Sequence, residues 1–214
     1  AADMVGSLFV SDAELTEYIN KSIGELHDLL VSCYGEDYFS TSVQFTSTGA
    51  SSYTLTASPV SITNFYKLRG LDIQDGGRWT SLKPFMFNER NRAREYVGLT
   101  LSERHRYRLM GGAVVFETNN PPPTGSVLRL WYVPLPATLT NDSDTFDGVN
   151  SWEEYVVVDA AIKMLRKEES DTSLLLRQKA ELKLRIEQMA PNRDAGEPQR
   201  VTDVNAIDDS EVFW

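Results

Sequence analysis

Ser11-Asp12-Ala13-Glu14-Leu15-Thr16-Glu17-Tyr18-Ile19-Asn20-Lys21-Ser22-Ile23-Gly24-Glu25-Leu26-His27-Asp28-Leu29-Leu30-Val31-Ser32-Cys33-Tyr34 reads as one long amphipathic helix. Ser11 and Glu14 make a capping box at its start: the hydroxyl can take a free N–H of the first turn, and the carboxylate can return to the cap residue. Leu15, Ile19, Ile23, Leu26, Leu30 and Cys33 then recur at three- and four-residue steps, which places them on one face. Gly35 is the predicted stop. An apolar stripe of this length has to be covered by another element, so what covers it decides the fold.

Helical periodicity returns only after the polar stretch from Thr140 to Gly148. Ser151 and Glu154 repeat the capping-box pattern, and Trp152, Tyr155, Val156, Ile162 and Leu165 form the apolar face of a helix to about Glu168. Ser170 to Thr172 break the pattern. A third helix runs to about Ala190 with Leu175, Leu182, Ile186 and Met189 on one side, and Pro191 ends it. Its outer face carries Glu181 and Arg185 at a four-residue spacing, worth about 0.3 kcal/mol. Mutual packing is the simplest way to hide three such stripes.

From about Ser40 to Leu135 the period is two. Val43-Gln44-Phe45, Tyr53-Thr54-Leu55 and Leu71-Asp72-Ile73 alternate apolar with polar residues, as half-buried strands do. Asp75-Gly76-Gly77 separates Leu71–Ile73 from the run Trp79–Phe85 and predicts a hairpin. Val114–Phe116 and Val127–Val133 look like a second strand pair, joined by the proline-rich loop Asn119–Gly125. A short helix is expected near Asn88–Tyr96. The predicted fold class is α+β: a helical bundle of one N-terminal and two C-terminal helices, with an inserted antiparallel β module. The predicted organisation is a single domain over residues 1–190, its β-rich insertion at about 40–135, and an extended C-terminal arm over 191–214. At 214 residues the chain can bury one substantial core, or a core with an insertion.

The formal net charge of −10 argues against a protein that clamps nucleic acid with its whole surface. One cysteine, Cys33, excludes an intrachain disulfide framework and reads as a core thiol of the first helix. No stretch approaches the roughly 18 apolar residues of a membrane helix. Ala1-Ala2-Asp3-Met4 shows no secretory signal pattern, so a soluble protein made in a reducing cytoplasm is expected.

The sequence carries few signatures of chemistry. Gly76-Gly77 and Gly111-Gly112 lack the lysine and hydroxyl of a phosphate-binding loop, and no hydrolase elbow or zinc-protease helix is present. His27 and His105 have no partners at metal-ligand spacing. Asp142, Asp144, Asp147 and Glu153 superficially suggest a calcium loop. Phe146 occupies a ligand position, however, and Gly148 falls one residue late, so a solvated loop is the expectation. Asp159, inside the apolar run Tyr155–Ile162, has no general-acid partner and reads as a subunit-contact or boundary ion-pair residue. No enzymatic activity and no cofactor are expected.

Two segments point to partners. Between Arg78 and Arg108 the charge sign reverses, with Arg90, Arg92, Arg94, Arg104, Arg106 and Arg108 prominent. Three readings stand: DNA contact, an interface with an acidic neighbouring subunit, or a solvated face of Arg–Glu pairs. Pro191–Trp214 is acidic and aperiodic, yet carries Val204, Ile207, Val212, Phe213 and Trp214. It reads as an arm that orders against a partner, or that folds back on its own subunit.

Leu128-Arg129-Leu130-Trp131-Tyr132-Val133-Pro134-Leu135-Pro136-Ala137-Thr138-Leu139, an acidic loop, and then Trp152-Glu153-Glu154-Tyr155-Val156-Val157-Val158-Asp159-Ala160-Ala161 resemble a known family. The likeness is to the segment that closes the β module and opens the last helices in the head-to-tail adaptors of tailed bacteriophages. Asn64-Phe65-Tyr66-Lys67-Leu68-Arg69-Gly70-Leu71-Asp72-Ile73 and Gly77-Arg78-Trp79 are similar to the strand-and-hairpin region of the same family. The resemblance covers about residues 10 to 190. It implies a structural virion protein of the neck, assembled as a homo-oligomeric ring of roughly twelve subunits beneath the portal protein. Such a ring continues the DNA channel, lets DNA pass without specific binding, and presents a surface to the next tail or stopper protein. In similar proteins a C-terminal segment inserts against the portal, which would give Val204, Ile207, Val212, Phe213 and Trp214 that contact. A head-completion stopper, or another phage tail interaction module, is the alternative.

Overall fold

The computed structural model describes residues 10–33, 39–90, 100, 104–117, 120–149 and 152–189. The first helix, α1 (Asp12–Cys33), begins with the expected capping box: the Glu14 N–H donates to Ser11 Oγ at 3.4 Å, and the Ser11 N–H donates to Glu14 Oε2 at 3.1 Å. Tyr34 and Gly35, the expected end of the helix, lie outside the described residues. The apolar stripe of α1 is covered by α2 (Glu153–Lys167) and α3 (Ser173–Met189). Ile23, Leu26 and Leu30 meet Trp152, Tyr155 and Val156 of the α2 turn and Ile186 of α3, all buried. Ile19, Cys33 and Leu182 pack around that cluster, each partly buried, so the predicted bundle forms, although Met189, expected on the same side of α3, is exposed.

Two local expectations are corrected. The N-cap position of α2 is Trp152 and carries no side-chain cap. Glu154 accepts a hydrogen bond from Gln178 of α3 at 3.1 Å; Ser151, its expected capping-box partner, lies outside the described residues. Glu181 likewise pairs with Arg177 at 3.2 Å, one turn earlier than Arg185, and the exposed geometry makes either pairing worth little.

Between α1 and α2 the chain forms β1 (Thr41–Thr46), β2 (Ser52–Thr54), β3 (Phe65–Asp75), β4 (Arg78–Ser81), β5 (Tyr107–Met110), β6 (Ala113–Phe116) and β7 (Val127–Pro134). They make two antiparallel sheets, ordered β1-β7-β3-β4 and β2-β6-β5. Alternation decides the layering: Phe45, Leu71, Ile73, Leu128 and Leu130 of the first sheet face Tyr53, Tyr107, Val114 and Phe116 of the second, in one buried core. The predicted hairpin closes through Gly76-Gly77, flanked by the pair Asp75↔Arg78. Both glycines have positive φ, +53° and +81°, as a two-residue turn of matching twist requires.

The expected pairing of Val114–Phe116 with Val127–Val133 does not occur, because β6 and β7 lie in different sheets. The loop between them is too long and too proline-rich for a tight return, and it crosses the sandwich instead. Ser47 receives it: Ser47 Oγ donates to the Pro122 carbonyl at 2.9 Å, and the Gly125 N–H donates to the Ser47 carbonyl at 2.8 Å. The run Trp79–Phe85 also changes sheets. The Leu82 N–H still donates to Leu71 O at 2.8 Å, whereas the Phe85 N–H reaches Tyr107 O of the second sheet at 3.0 Å. The helix expected near Asn88–Tyr96 is represented by a single 3-10 turn, Phe87–Glu89, and residues 91–99 lie outside the described ones.

The β module is tied to the helices at two places. Asn20 of α1 clamps the backbone of Leu139, donating to its carbonyl at 2.9 Å and accepting its N–H at 2.8 Å. His27 sits between the rings of Phe39 and Tyr66, at centroid distances of 5.4 and 5.2 Å. Burial lowers the His27 pKa below its ordinary value, opposed by Asp28 and by a hydrogen bond with the backbone of Pro134.

Candidate interaction surface

The predicted partner-contacting residues fall into separate places. Asp159 and Lys163 sit one turn apart on α2, and Glu25 of α1 and Lys179 of α3 reach the same junction. Lys163 Nζ lies 2.5 Å from Asp159 Oδ2, and Lys179 Nζ lies 2.6 Å from Oδ1. Glu25 bridges the same two lysines at 2.8 Å each, and Lys163 also donates to Ser22 Oγ at 3.0 Å. Burial opposes ionisation of Asp159, but the hydrogen bonds from Lys163 and Lys179 outweigh it and hold its pKa below the usual value. Glu25 is held low by the same balance. Asp159 is 2% exposed, so the structure places it at the meeting of the three helices within the subunit. Both carboxylate oxygens are engaged by lysines, which suits an internal ion network.

The arginines of the basic segment divide between tie and surface. Arg106 pairs with Glu89 at 2.8 Å and with the buried Glu117 at 3.5 Å, and donates to Pro84 O at 3.0 Å. It therefore fastens the loop carrying Pro84 and Glu89 to the second sheet. Arg108 donates to Phe85 O at 3.2 Å. Arg90 is exposed and stacks on Phe87 at 4.4 Å, beside the exposed Met86. The Arg104 backbone N–H donates to Thr100 O. Arg92 and Arg94 lie outside the described residues, as do the arm residues Val204, Ile207, Val212, Phe213 and Trp214.

The acidic loop before α2 is organised by its own hydrogen bonds. Asp144 accepts the backbone N–H groups of Thr140 and Asn141 at 2.7 and 2.8 Å, which lowers its pKa to about 2. Asp147 accepts the Val149 N–H at 3.0 Å. Among the described residues no group of three or more His, Cys, Asp or Glu side chains is placed to hold a metal. No helix among them is long and apolar enough to cross a membrane.

One surface feature was not visible in the sequence. On the outward face of the first sheet, the Arg129 guanidinium lies 3.8 Å from the ring centre of Trp79 and 5.6 Å from that of Trp131. Trp131 Nε1 donates to Asp72 Oδ2 at 2.7 Å, and Ser81 Oγ donates to Asp72 Oδ1 at 2.8 Å. A cleft of about 640 Å³ opens beside them, lined by Ser40, Arg69, Gly70, Asp72, Ser81 and Trp131 among others. The alternation of β7 alone places Arg129 and Trp131 opposite Leu128 and Leu130. Finding Trp79 and Asp72 beside them required the strand register.

The chain is thus an α+β protein, a helical body with a two-sheet module inserted after its first helix, ion-paired inside and carrying aromatic and arginine side chains outside. The model of a family described as SU10 adaptor protein matches residues 1–202. The chain belongs to that family, which bears out its resemblance to phage head-to-tail adaptors. The match includes the helical body and the β module, and stops short of all five apolar arm residues named above. No curated protein matches the chain.

Proposed function

We propose that this chain is a non-catalytic structural component of the virion neck, forming a ring of roughly twelve subunits that docks on the portal, continues the DNA channel and joins the next tail component. The observation that carries this reading is membership of a phage adaptor family over residues 1–202. The net charge of −10 supports passage of DNA without adhesion, and the ion-paired helical junction supports a rigid body within the ring. The apolar residues of the acidic arm, Val204, Ile207, Val212, Phe213 and Trp214, are assigned to the portal contact. The arm then orders on binding, as acidic segments with spaced apolar anchors do.

The test is a mass measurement of the purified chain, alone and mixed with its portal protein, repeated after deletion of residues 203–214. The expected result is a ring on the portal with the full chain, and loss of docking with unchanged helical content after deletion. A full chain that never joins a portal complex overturns the proposal.

A further inference from the structure

We propose that the outward face of the first sheet is one half of a head-to-tail contact between copies of this chain, with Arg129 taking a carboxylate from the acidic helical body of the neighbouring copy. This rests on the ring reading above and adds which face makes the contact.

Asp72 of β3 stands directly opposite Arg129 of β7, where a cross-strand ion pair would ordinarily form. Here the Asp72 carboxylate is engaged by Ser81 and Trp131, and Arg129 is turned onto the Trp79 ring. Among the described residues Arg129 has no carboxylate partner, and its Nε is shielded from water without a hydrogen bond. The stacking holds the guanidinium plane before any partner arrives, so a two-point carboxylate contact costs little ordering. Arginine beside tryptophan is also the composition of an interface centre. Around it the face is open: Ser42, Gln44 and Ser81 are all exposed.

Charge identifies the occupant. Residues 40–135 contain 11 Lys and Arg against 6 Asp and Glu, whereas residues 1–39 and 136–190 together contain 8 against 19. A basic module is thus carried on an acidic body. Two copies brought together module to module, or body to body, repel each other; module against body attracts. That arrangement is heterologous, and heterologous contacts close into rings when the rotation permits.

Two variants test this. Arg129→Glu reverses the charge. Gln44→Glu places a carboxylate on an exposed residue directly opposite Arg129, supplying from within the subunit what the neighbour is proposed to provide. Self-association of the full chain is followed by native mass measurement and sedimentation, with circular dichroism and melting as the check on folding. Each variant should weaken assembly at least about ten-fold while the fold is kept, and raising NaCl from about 50 to about 500 mM should weaken wild-type assembly likewise. If Arg129→Glu fails to fold, Gln44→Glu alone decides. A folded variant that assembles like wild type overturns this inference and leaves the ring reading standing, and so does one that assembles but no longer docks on the portal, which would assign the face there. A wild-type chain that assembles neither alone nor on the portal overturns both.

Discussion

Replacing Asp159 with alanine would remove the most buried acid from the junction of the three helices. Asp159 is 2% exposed, while the side chains of Lys163 and Lys179 are 21% and 24% exposed. Deleting one partner of a buried ion pair costs about 3–5 kcal/mol, because the remaining charge stays desolvated without compensation. Glu25 still bridges both lysines in the variant, and each lysine keeps some water, so the lower end applies, about 3 kcal/mol. Asp159→Asn, which keeps the shape and loses the charge, should cost a comparable amount. Urea unfolding followed by helical circular dichroism measures both, under conditions where the chain does not self-associate. A loss below about 1 kcal/mol for both variants would show that the network behaves as an exposed pair, and would refute the buried-charge reasoning.

Trp152→Ala should destabilise the subunit by about 3–5 kcal/mol, since the indole is 2% exposed among Ile23, Leu26 and Ile186; an unchanged melting temperature would contradict its place in that core. Tyr53→Phe should cost about 1–3 kcal/mol in the same assay, because its hydroxyl accepts the backbone N–H groups of Thr48 and Ala50 at 3.0 and 3.2 Å and pairs with the buried Ser47 Oγ at 2.9 Å. Acid should destabilise the fold. Asp159 and Glu25 are held below their ordinary pKa values in the folded state, so the stability they add is present above about pH 4 and is lost as pH falls through their lowered folded values. Melting temperature against pH, compared with Asp159→Asn, should show a shallower acid slope in the variant.

The helices were legible because their signals are local. The capping box of α1 and its three- and four-residue apolar steps lie within a few turns of one another, and each says what the backbone there will do. The β module was legible only in part. Val43–Phe45, Leu71–Ile73 and Val127–Val133 announce themselves by alternation, and Gly76-Gly77 announces its turn. β5 did not, because Tyr107-Arg108-Leu109-Met110 is only four residues long, sits in a charged segment and shows no alternation, with Tyr107 its one buried residue. Its turn, Gly111-Gly112, has the same pattern as the other hairpin, with φ values of +57° and +76°, and is the signal that could have revealed it. Pairing was the least legible of all: β7 is bracketed by β1 and β3, strands that begin 86 and 62 residues before it, at Thr41 and Phe65.

Sequence alone determined the periodicities: three helices, a strand-rich insertion and an acidic remainder, since each follows from spacing along a short stretch of chain. Only tertiary structure decided which sheet each strand joined. It also decided that Glu154 meets Gln178, that Asp159 is enclosed by lysines from two helices, and that Arg129 lies on Trp79 rather than on Asp72. These outcomes depend on which distant residues share a face after packing, and the energy of a charged or aromatic side chain is set by those neighbours rather than by its place in the chain.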